Sequence, residues 1–464
     1  MTAIIAVGPA WAQDWPQWRG PHRDAKAVFK VPDHWPASLT RKWKVEVGEG
    51  VSTPALVGDK VYVFSRQGGK EVLRCLDAAS GNEIWKDEYE SRGVTGPASS
   101  FSGPRSSPAV GEGKVVTLGV RGRLSCLDAA TGKVLWRKDD FLEAIPRFAT
   151  SSSPIIVDGL CIAQLGGGNN GALVAYDLAG GEEKWKWTGE SPAYASPVLM
   201  TLDGLKLVVA ETEERIVAVR LSDGKLMWET PFAVRGMGAY NASTPVVEGN
   251  VLYFSGGGRG TRAVKLEKQG EGIVGQELWK NEDLSVQFNT PVVKEGLLYG
   301  LSQSNELFCL DKQTGKAAWS GSVGPPGGGP GGGGFAGGRG GRGGPGGPGG
   351  PDQGAQATRP ADAPGPPGGP GGRGGGRGPG GGGGRGMGGR GGGRGGYGSI
   401  VDVGNALLAL TPASQLIVFA PGDKQYAEQA KIKVADTPTY AYPVASGNRL
   451  FIRDQDSLAL LTVE

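Results

Sequence analysis

The chain has 464 residues, among them 85 glycines and 32 prolines, and a formal net charge of +3. The basic excess lies in one glycine-rich segment, residues 321–398, which holds eight arginines against two aspartates, so the rest of the chain is slightly acidic. The overall basicity therefore gives no reason to expect sequence-specific nucleic-acid binding. Without that segment and the first 40 residues roughly 350 residues remain to fold, which is too many for one simple β-sandwich.

The first twelve residues, 1–12, contain a short apolar run followed by Ala10 and Ala12, a pattern that resembles a signal-peptidase site. We expect an exported protein, periplasmic or extracellular, with a frayed apolar terminus as the alternative. The sequence has no run of about 20 apolar residues, so no transmembrane helix is expected. Residues 13–40 are predicted to form an N-terminal extension.

A glycine followed four residues later by a tryptophan recurs at intervals of about 40–50 residues, which indicates a repeat architecture. The pairs are Gly81/Trp85, Gly132/Trp136, Gly181/Trp185, Gly224/Trp228, Gly275/Trp279 and Gly315/Trp319. Trp43 precedes this series without a glycine. We predict that these tryptophans fill the wedges between neighbouring repeats, since burying an indole removes about 150–250 Å² from water. Ligand stacking is the alternative role.

Six repeats begin with a proline that follows serine or threonine and precedes a short apolar run, a position where a strand tolerates proline, and a seventh begins with a proline that follows Tyr442. The starts are Pro54, Pro108, Pro154, Pro197, Pro245, Pro291 and Pro443, with Ser399 as a degenerate eighth start. Short strands with hairpin turns follow each start, as in a propeller blade. After Pro443 only three strands have room, and the strand at 41–47 has no strands before it. The sequence therefore predicts an all-β, eight-bladed β-propeller of four-stranded antiparallel blades, in which the N-terminal strand closes the last blade; seven blades is the less favoured count.

The domain boundaries follow from this count. Residues 41–320 supply blades 1–6 and the closing strand, and residues 399–464 supply blades 7 and 8. The segment 321–398 lacks the apolar residues needed to fold and is predicted to be a disordered insertion. Contact with a polyanion and binding of RNA are the alternatives; RNA binding is disfavoured because only Phe335 and Tyr397 could stack on bases.

Two residue counts restrict the chemistry. The only histidines, His22 and His34, precede the first blade, which excludes a Ser-His-Asp triad or a histidine metal site inside the propeller. Cys75, Cys126 and Cys309 occupy the same repeat position in different blades, so disulfides between them are not expected. We expect no catalytic residue and no metal site.

The unit from Leu124 to Trp136, Leu-Ser-Cys-Leu-Asp-Ala-Ala-Thr-Gly-Lys-Val-Leu-Trp, resembles the PQQ-type β-propeller repeat of quinoprotein alcohol dehydrogenases and BamB-like scaffolds. The resemblance covers about 41–320 and 399–464 and implies an eight-bladed propeller. The opening Asp14-Trp15-Pro16-Gln17-Trp18-Arg19-Gly20-Pro21 is similar to the start of exported PQQ-like repeat proteins.

The resemblance implies two functions. A dehydrogenase would bind PQQ with Ca²⁺ in the axial channel, and alcohol-oxidising members typically add a disulfide between adjacent cysteines, which this sequence lacks. A scaffold propeller would bind an envelope protein without a cofactor. We favour a monomeric, non-catalytic binding or scaffolding protein that needs no cofactor, with a PQQ-dependent oxidoreductase as the alternative.

A ligand site, if present, should lie where the segments before each inner strand converge on the channel mouth. These segments carry the candidate ligand-binding residues Arg105, Arg147, Tyr194, Tyr240, Asn241, Asn289 and Tyr440. The arginines would bind an anion and the tyrosines would offer stacking faces and hydroxyls, which predicts a small polar or anionic ligand. The alternative is that these side chains plug the channel and satisfy turn backbones.

Overall fold

The computed structural model describes residues 13–95, 98–99, 101–168, 170–234, 240–323 and 396–463. The predicted signal segment 1–12 and nearly all of the predicted insertion, 324–395, lie outside the described residues. The described chain forms strands and turns with no α-helix, and it contains no helix long and apolar enough to cross a bilayer.

The strands form eight four-stranded antiparallel sheets, which we number as blades 1–8 and whose strands we letter A to D from the axis outward. The first strand, β1 (Thr40–Glu46), precedes blade 1. Blade 1 contains β2 (Ala55–Val57), β3 (Lys60–Gln67), β4 (Lys70–Asp77) and β5 (Glu83–Glu90); blade 2 contains β6 (Ala109–Gly111), β7 (Lys114–Leu118), β8 (Leu124–Asp128) and β9 (Val134–Lys138); blade 3 contains β10 (Ile155–Val157), β11 (Leu160–Gly167), β12 (Asn170–Asp177) and β13 (Glu183–Trp187); blade 4 contains β14 (Val198–Leu202), β15 (Leu205–Glu211), β16 (Arg215–Arg220) and β17 (Leu226–Pro231).

The remaining blades continue in the same order. Blade 5 contains β18 (Val246–Glu248), β19 (Val251–Gly256), β20 (Gly260–Gln269) and β21 (Gly272–Asn281); blade 6 contains β22 (Val292–Lys294), β23 (Leu297–Leu301), β24 (Glu306–Asp311) and β25 (Ala317–Ser322); blade 7 contains β26 (Ser399–Asp402), β27 (Leu407–Leu410), β28 (Gln415–Phe419) and β29 (Glu428–Lys433); blade 8 contains β30 (Val444–Ser446), β31 (Arg449–Arg453), β32 (Ser457–Thr462) and β1.

Blade 8 is completed by the N-terminal strand. β1 pairs antiparallel with β32, from Thr40 opposite Thr462 to Glu46 opposite Ser457. This pairing closes the ring and removes two exposed sheet edges. The predicted count of eight blades and the predicted closing strand are both confirmed.

Burial differs between the middle and the outer strands. In blade 1 the B strand β3 is buried along five consecutive residues, whereas the D strand β5 alternates between exposed and half-buried positions. The B and C strands are sandwiched between neighbouring blades and therefore present near-continuous apolar runs. The D strand faces solvent and keeps a period of two.

Six of the seven repeat tryptophans lie over the glycine of the following blade, and Trp319 is the exception. A Cβ built on Gly132 would lie 2.6 Å from the indole of Trp85, and one built on Gly181 would lie 2.8 Å from that of Trp136. The indole nitrogen also donates to the same turn: Trp136 Nε1 lies 3.1 Å from the carbonyl oxygen of Leu178. The glycine thus serves twice, because it takes a positive φ in the turn and leaves room for the neighbouring indole.

The structure places all seven repeat tryptophans between blades. Trp43, Trp85, Trp136, Trp185 and Trp279 each donate an Nε1–H bond to the next blade, as does Trp319 to the carbonyl of Gly422. Trp228 packs on Gly275, where an added Cβ would lie 2.5 Å from the indole nitrogen. Blade 7 has Ala430 at the corresponding position of its D strand, so the interface between blades 7 and 8 has no such indole.

In blades 1, 2, 3 and 6 the turn before the glycine is held by an aspartate, which is Asp77, Asp128, Asp177 or Asp311. Asp128 Oδ1 accepts hydrogen bonds from the amide and hydroxyl of Thr131 at 2.8 and 2.7 Å, and Asp311 makes the same pair with Thr314. These hydrogen bonds lower the pKa of both carboxyl groups. All four cysteines are buried and free, in keeping with their positions in separate blades.

Candidate functional site

The segments that precede the A strands converge on the axis and surround a pocket of about 270 Å³, which we call the axial pocket. Five of the seven residues predicted from the sequence line it: Arg105, Tyr194, Tyr240, Asn289 and Tyr440. The propeller geometry explains this convergence, because every blade delivers the same short segment to the same end of the channel.

Two groups of aromatic side chains form the walls of the axial pocket. On one side Phe148 packs edge-on against Tyr240 with ring centroids 4.6 Å apart, and Tyr194 joins them. On the other side Phe288 stacks on Tyr397 at 4.4 Å and 8°. These walls offer flat apolar faces that suit a flat ligand.

Tyr440 and Phe101 extend the second wall. The ring of Tyr440 meets Tyr397 at 5.7 Å and Phe101 at 5.2 Å, both edge-on. Tyr194 also has a structural hydrogen bond, since its hydroxyl accepts from the amide of Phe148 at 3.2 Å. Burial is the main cause that raises the pKa of Tyr194, so the phenol stays neutral at physiological pH.

Arg105 lies in the wall of the axial pocket and supplies its cationic group. Its Nη2 donates to the carbonyl oxygens of Phe101 at 2.8 Å and Ala98 at 3.3 Å, while Nη1 is buried without a hydrogen-bond partner in the described chain. Burial lowers the pKa of Arg105, which nevertheless remains an arginine with a positive charge at neutral pH. A buried donor on a charged group favours an anionic acceptor.

Hydroxyl groups encircle the channel at the level of the A-strand starts. In six places the amide of one blade donates to a serine or threonine hydroxyl of another, at 2.9–3.1 Å. The acceptor residues, which we call the hydroxyl ring, are Thr53, Ser107, Ser153, Ser196, Thr244 and Thr290. The Ser/Thr before six of the seven repeat prolines therefore links consecutive blades, a role that the sequence analysis did not assign.

The N-terminal extension closes the other end of the channel. Trp18 lines the axial pocket from below, and its ring meets Tyr442 edge-on at 5.8 Å. The segment 13–31, which we call the plug segment, reaches this position from the face that carries the A–B turns, where the amide of Gly58 donates to Asp14 at 2.8 Å. The pocket is therefore blind at this end and is reached from the opposite mouth.

Two buried arginines hold the plug segment in the channel. Arg23 donates to the carbonyl oxygens of Pro197 at 2.9 Å, Ser153 at 3.2 Å and Pro154, and Arg19 donates to that of Pro291 at 2.6 Å. These carbonyls lie at the starts of innermost strands, which have no neighbouring strand on the axial side. Burial lowers the pKa of Arg23 to about 9, so its charge persists at neutral pH and is stabilised by the carbonyl oxygens.

Backbone hydrogen bonds extend this attachment around the wheel. Trp15 exchanges two bonds with Leu56 of blade 1, and Pro16 accepts from Val110 of blade 2. The amide of Ala27 donates to Asp402 of blade 7 and that of Lys30 to Gly447 of blade 8. Together with Arg19 and Arg23, the plug segment bonds to seven of the eight blades within the described residues.

Two predicted ligand residues lie outside the pocket lining. Arg147 is exposed, with its guanidinium 5.5 Å from the ring of Phe148, at the rim. Asn241 is buried, and its amide nitrogen donates to the carbonyls of Thr212, Glu213 and Phe232, so it holds a loop together. Asn241 therefore satisfies turn backbones, which was the alternative role considered for the candidate ligand residues.

Sequence reasoning missed several lining residues. Trp18 arrives from the N-terminal extension, and Phe101, Phe288 and Tyr397 were not selected as ligand residues although they precede A strands. Phe101, Phe288 and Tyr397 could have been found from their position, since each is an aromatic residue a few places before a repeat start. No local pattern indicated that Trp18 would enter the channel.

The polar side chains that line the pocket determine which cofactors or ligands it can bind. The lining residues include no carboxylate and no histidine, and the described residues contain no cluster of His, Cys, Asp or Glu that could hold a metal ion. Ca²⁺ prefers six to eight oxygen ligands with carboxylates among them. The residues present therefore fit an anion and do not fit a quinone cofactor bound together with a divalent cation.

Eight four-stranded blades around a channel that is capped at one end place the protein among the eight-bladed β-propellers. A family model described as "Outer membrane protein assembly factor BamB" matches residues 69–321, more than half of the chain. The chain belongs to this family of PQQ-like propellers.

The individual relatives carry two kinds of name, that of an assembly factor and that of an alcohol dehydrogenase. An outer membrane protein assembly factor BamB from Yersinia pestis is 26% identical over 302 residues, which are 61% of this chain and 71% of that protein. A quinohemoprotein alcohol dehydrogenase from Comamonas testosteroni is 31% identical over 195 residues, 40% of this chain but only 27% of the relative. The alignment thus leaves most of the dehydrogenase unmatched.

Solved structures agree on the fold. BamB from Moraxella catarrhalis superposes with a TM-score of 0.57 at 15% identity, over 92% of this chain and 98% of that one. The quinohemoprotein alcohol dehydrogenase from Comamonas testosteroni gives 0.62 at 14% identity, over 97% and 80%. At these identities the likeness establishes the propeller and leaves function to the site.

Proposed function

We propose that the protein is an exported, non-catalytic binding or scaffolding propeller of the cell envelope, whose partner or ligand engages the mouth of the axial pocket. The observation that carries this proposal is the lining of the pocket: aromatic walls, hydroxyls and one half-buried arginine, with no carboxylate or histidine among the described lining residues to act as a general base. Such a lining recognises and orients a group without a residue to perform proton transfer.

The family supports the same proposal. Its model and a relative aligned over 71% of its length carry the name of an outer membrane assembly factor, which favours an envelope location and a protein partner. A propeller commonly binds partners through the loops at one end of its ring, and here the mouth is the end not covered by the plug segment.

A partner can be tested by capture from an envelope extract with matched variants. Phe148→Ala combined with Tyr240→Ala removes one aromatic wall of the mouth, and Ile84→Ala removes a side chain that is 48% exposed on the outer strand of blade 1. We expect a specific partner to be retained by the wild type and by Ile84→Ala but lost with the double variant. Equal retention by both variants would place the partner elsewhere.

The alternative is a PQQ-dependent oxidoreductase, which the dehydrogenase relatives favour and the donor set of the pocket disfavours. Adding PQQ with Ca²⁺ to the purified full chain, then recording the cofactor absorbance and dye-linked alcohol oxidation, separates the two. We expect neither a shift in the spectrum nor turnover. Turnover that requires both PQQ and Ca²⁺ would refute the non-catalytic role.

A further inference from the structure

The hydroxyl ring has unused hydrogen-bond donors. Each hydroxyl accepts a bond from a backbone amide, which occupies a lone pair and leaves the O–H proton free to donate. For Thr53, Ser107, Ser196 and Thr244, no acceptor for that proton occurs in the described chain. All four are at least 95% buried and line the axial pocket. Buried donors without an acceptor are unfavourable unless something in the pocket accepts from them.

Charge in the pocket has the same sign throughout. Arg105 presents a buried Nη1 without a partner in the described chain. Arg19 lies just outside the lining, with its guanidinium 5.6 Å from the ring of the floor residue Trp18. Among the described residues no carboxylate lines the cavity to balance these charges. An acceptor-rich, negatively charged group is therefore the complement of this floor.

The walls and the volume limit what can carry that group. The Phe288–Tyr397 stack and the Phe148–Tyr240 pair leave flat apolar faces on two sides, and the cavity holds about 270 Å³. Pockets for drug-sized molecules usually range over about 300–1,000 Å³, so this one suits a single ring. Asn289 adds a buried Oδ1 without a partner, an acceptor for a hydroxyl on the ligand.

We propose that the axial pocket binds a small aromatic carboxylate, with its carboxylate on the hydroxyl ring and Arg105 and its ring between the two aromatic walls. This inference rests on the proposed function, because it names the chemical class that the pocket of a non-catalytic binding propeller would accept. The ligand is bound and released unchanged.

Calorimetry on the full chain tests the ligand class with 4-hydroxybenzoate as the probe. Its neutral analogue 4-hydroxybenzamide tests the charge, and inorganic phosphate tests an anion without a ring. We expect saturable binding of 4-hydroxybenzoate and at least tenfold weaker binding of the other two. Equal affinity for the amide would overturn the proposal because the charge would not be recognised. No binding of the carboxylate would also overturn it and would indicate that water alone satisfies the donors.

Two matched serine variants separate ligand binding from ring stability. Ser196 and Ser153 both accept a backbone amide at 2.9 Å, but only Ser196 lines the pocket. We expect Ser196→Ala and Ser153→Ala to lower the melting temperature by similar amounts, while only Ser196→Ala weakens 4-hydroxybenzoate binding, by about fivefold to tenfold for one lost hydrogen bond. Equal affinities for the two variants would contradict the assigned role of the ring.

Arg105→Met supplies the second measurement. It removes the charge while keeping the length of the side chain, and we expect a loss of affinity of tenfold or more with a shallower dependence of binding on salt. An unchanged affinity in a folded variant would overturn the proposal. The proposed function fails separately: dye-linked turnover would refute the non-catalytic role even where 4-hydroxybenzoate binds, and partner capture by the wild type stands even where it does not.

Discussion

Replacing Gly132 with alanine tests how the blades are held together. Two unfavourable terms coincide at this position. Gly132 has φ of +74°, where an L-residue costs about 1–2 kcal/mol. The new methyl would also lie 2.6 Å from two atoms of the Trp85 indole, and overpacking of this kind costs about 1–3 kcal/mol. We expect the free energy of unfolding to fall by about 2–5 kcal/mol in total.

Urea denaturation followed by both tryptophan fluorescence and far-ultraviolet circular dichroism measures this loss, and coincident transitions would justify a two-state treatment. Gly113→Ala is the matched control, because Gly113 lies in the same blade with φ of +72° and nothing within 4 Å of an added Cβ. The free energy of unfolding of Gly113→Ala should fall by only about 1–2 kcal/mol. If both variants lose the same stability, the indole contact contributes nothing and the packing argument is wrong.

Three further outcomes are expected. Arg23→Met should lower the free energy of unfolding by about 2–4 kcal/mol in urea denaturation, because three inner carbonyls lose their donor, whereas Lys30→Met on the exposed side of the plug segment should change it little; similar losses would contradict the anchoring role. Burial raises the pKa of the Glu211 carboxyl well above its ordinary value of 4.5. The protonated side chain is therefore most favourable for stability below pH 4.5, and this contribution is lost as the pH rises. Glu211→Gln should therefore raise the melting temperature at pH 7 by several degrees, with the gain vanishing near pH 4; a gain that is the same at both pH values would show that ionisation is not the cause. Burial raises the pKa of Cys75 to about 11 and that of Cys126 to about 12, so a thiol reagent at pH 8 should label no cysteine in the native protein and all four in urea; fast native labelling would show that these positions open.

The ring could be predicted from sequence because its signals are local and repeated. Each repeat proline marks the start of an inner strand, and Trp43, which has no strands before it, identified β1 as the missing outer strand of blade 8. The spacing of glycine and tryptophan also predicted where the indoles lie. It did not reveal that six of the seven indoles pack on the glycine of the next blade, since the two residues belong to different repeats.

The floor of the channel could not be predicted for a different reason. Arg19 and Pro291 are 272 residues apart, and nothing near Arg19 in the sequence distinguishes a buried arginine from a solvated one. The carbonyl oxygens that bind Arg19 and Arg23 come together only when blades 3, 4 and 6 surround one axis. The pocket walls could be predicted only in part. The sequence shows the tyrosines before the A strands, but it does not show which aromatic side chains pack against them.

The contacts of the plug segment and of β1 impose an order on assembly. Both elements precede blade 1 in the chain, yet β1 pairs with Ser457–Thr462 and the plug segment bonds to Gly447, which belong to blade 8 and follow the other seven blades in the sequence. Until blade 8 exists, β1 is a strand without a neighbour, whereas Arg19 and Arg23 find their acceptors earlier, in blades 3, 4 and 6. During synthesis β1 must therefore stay unpaired until blade 8 has been made, and the ring closes in one late step.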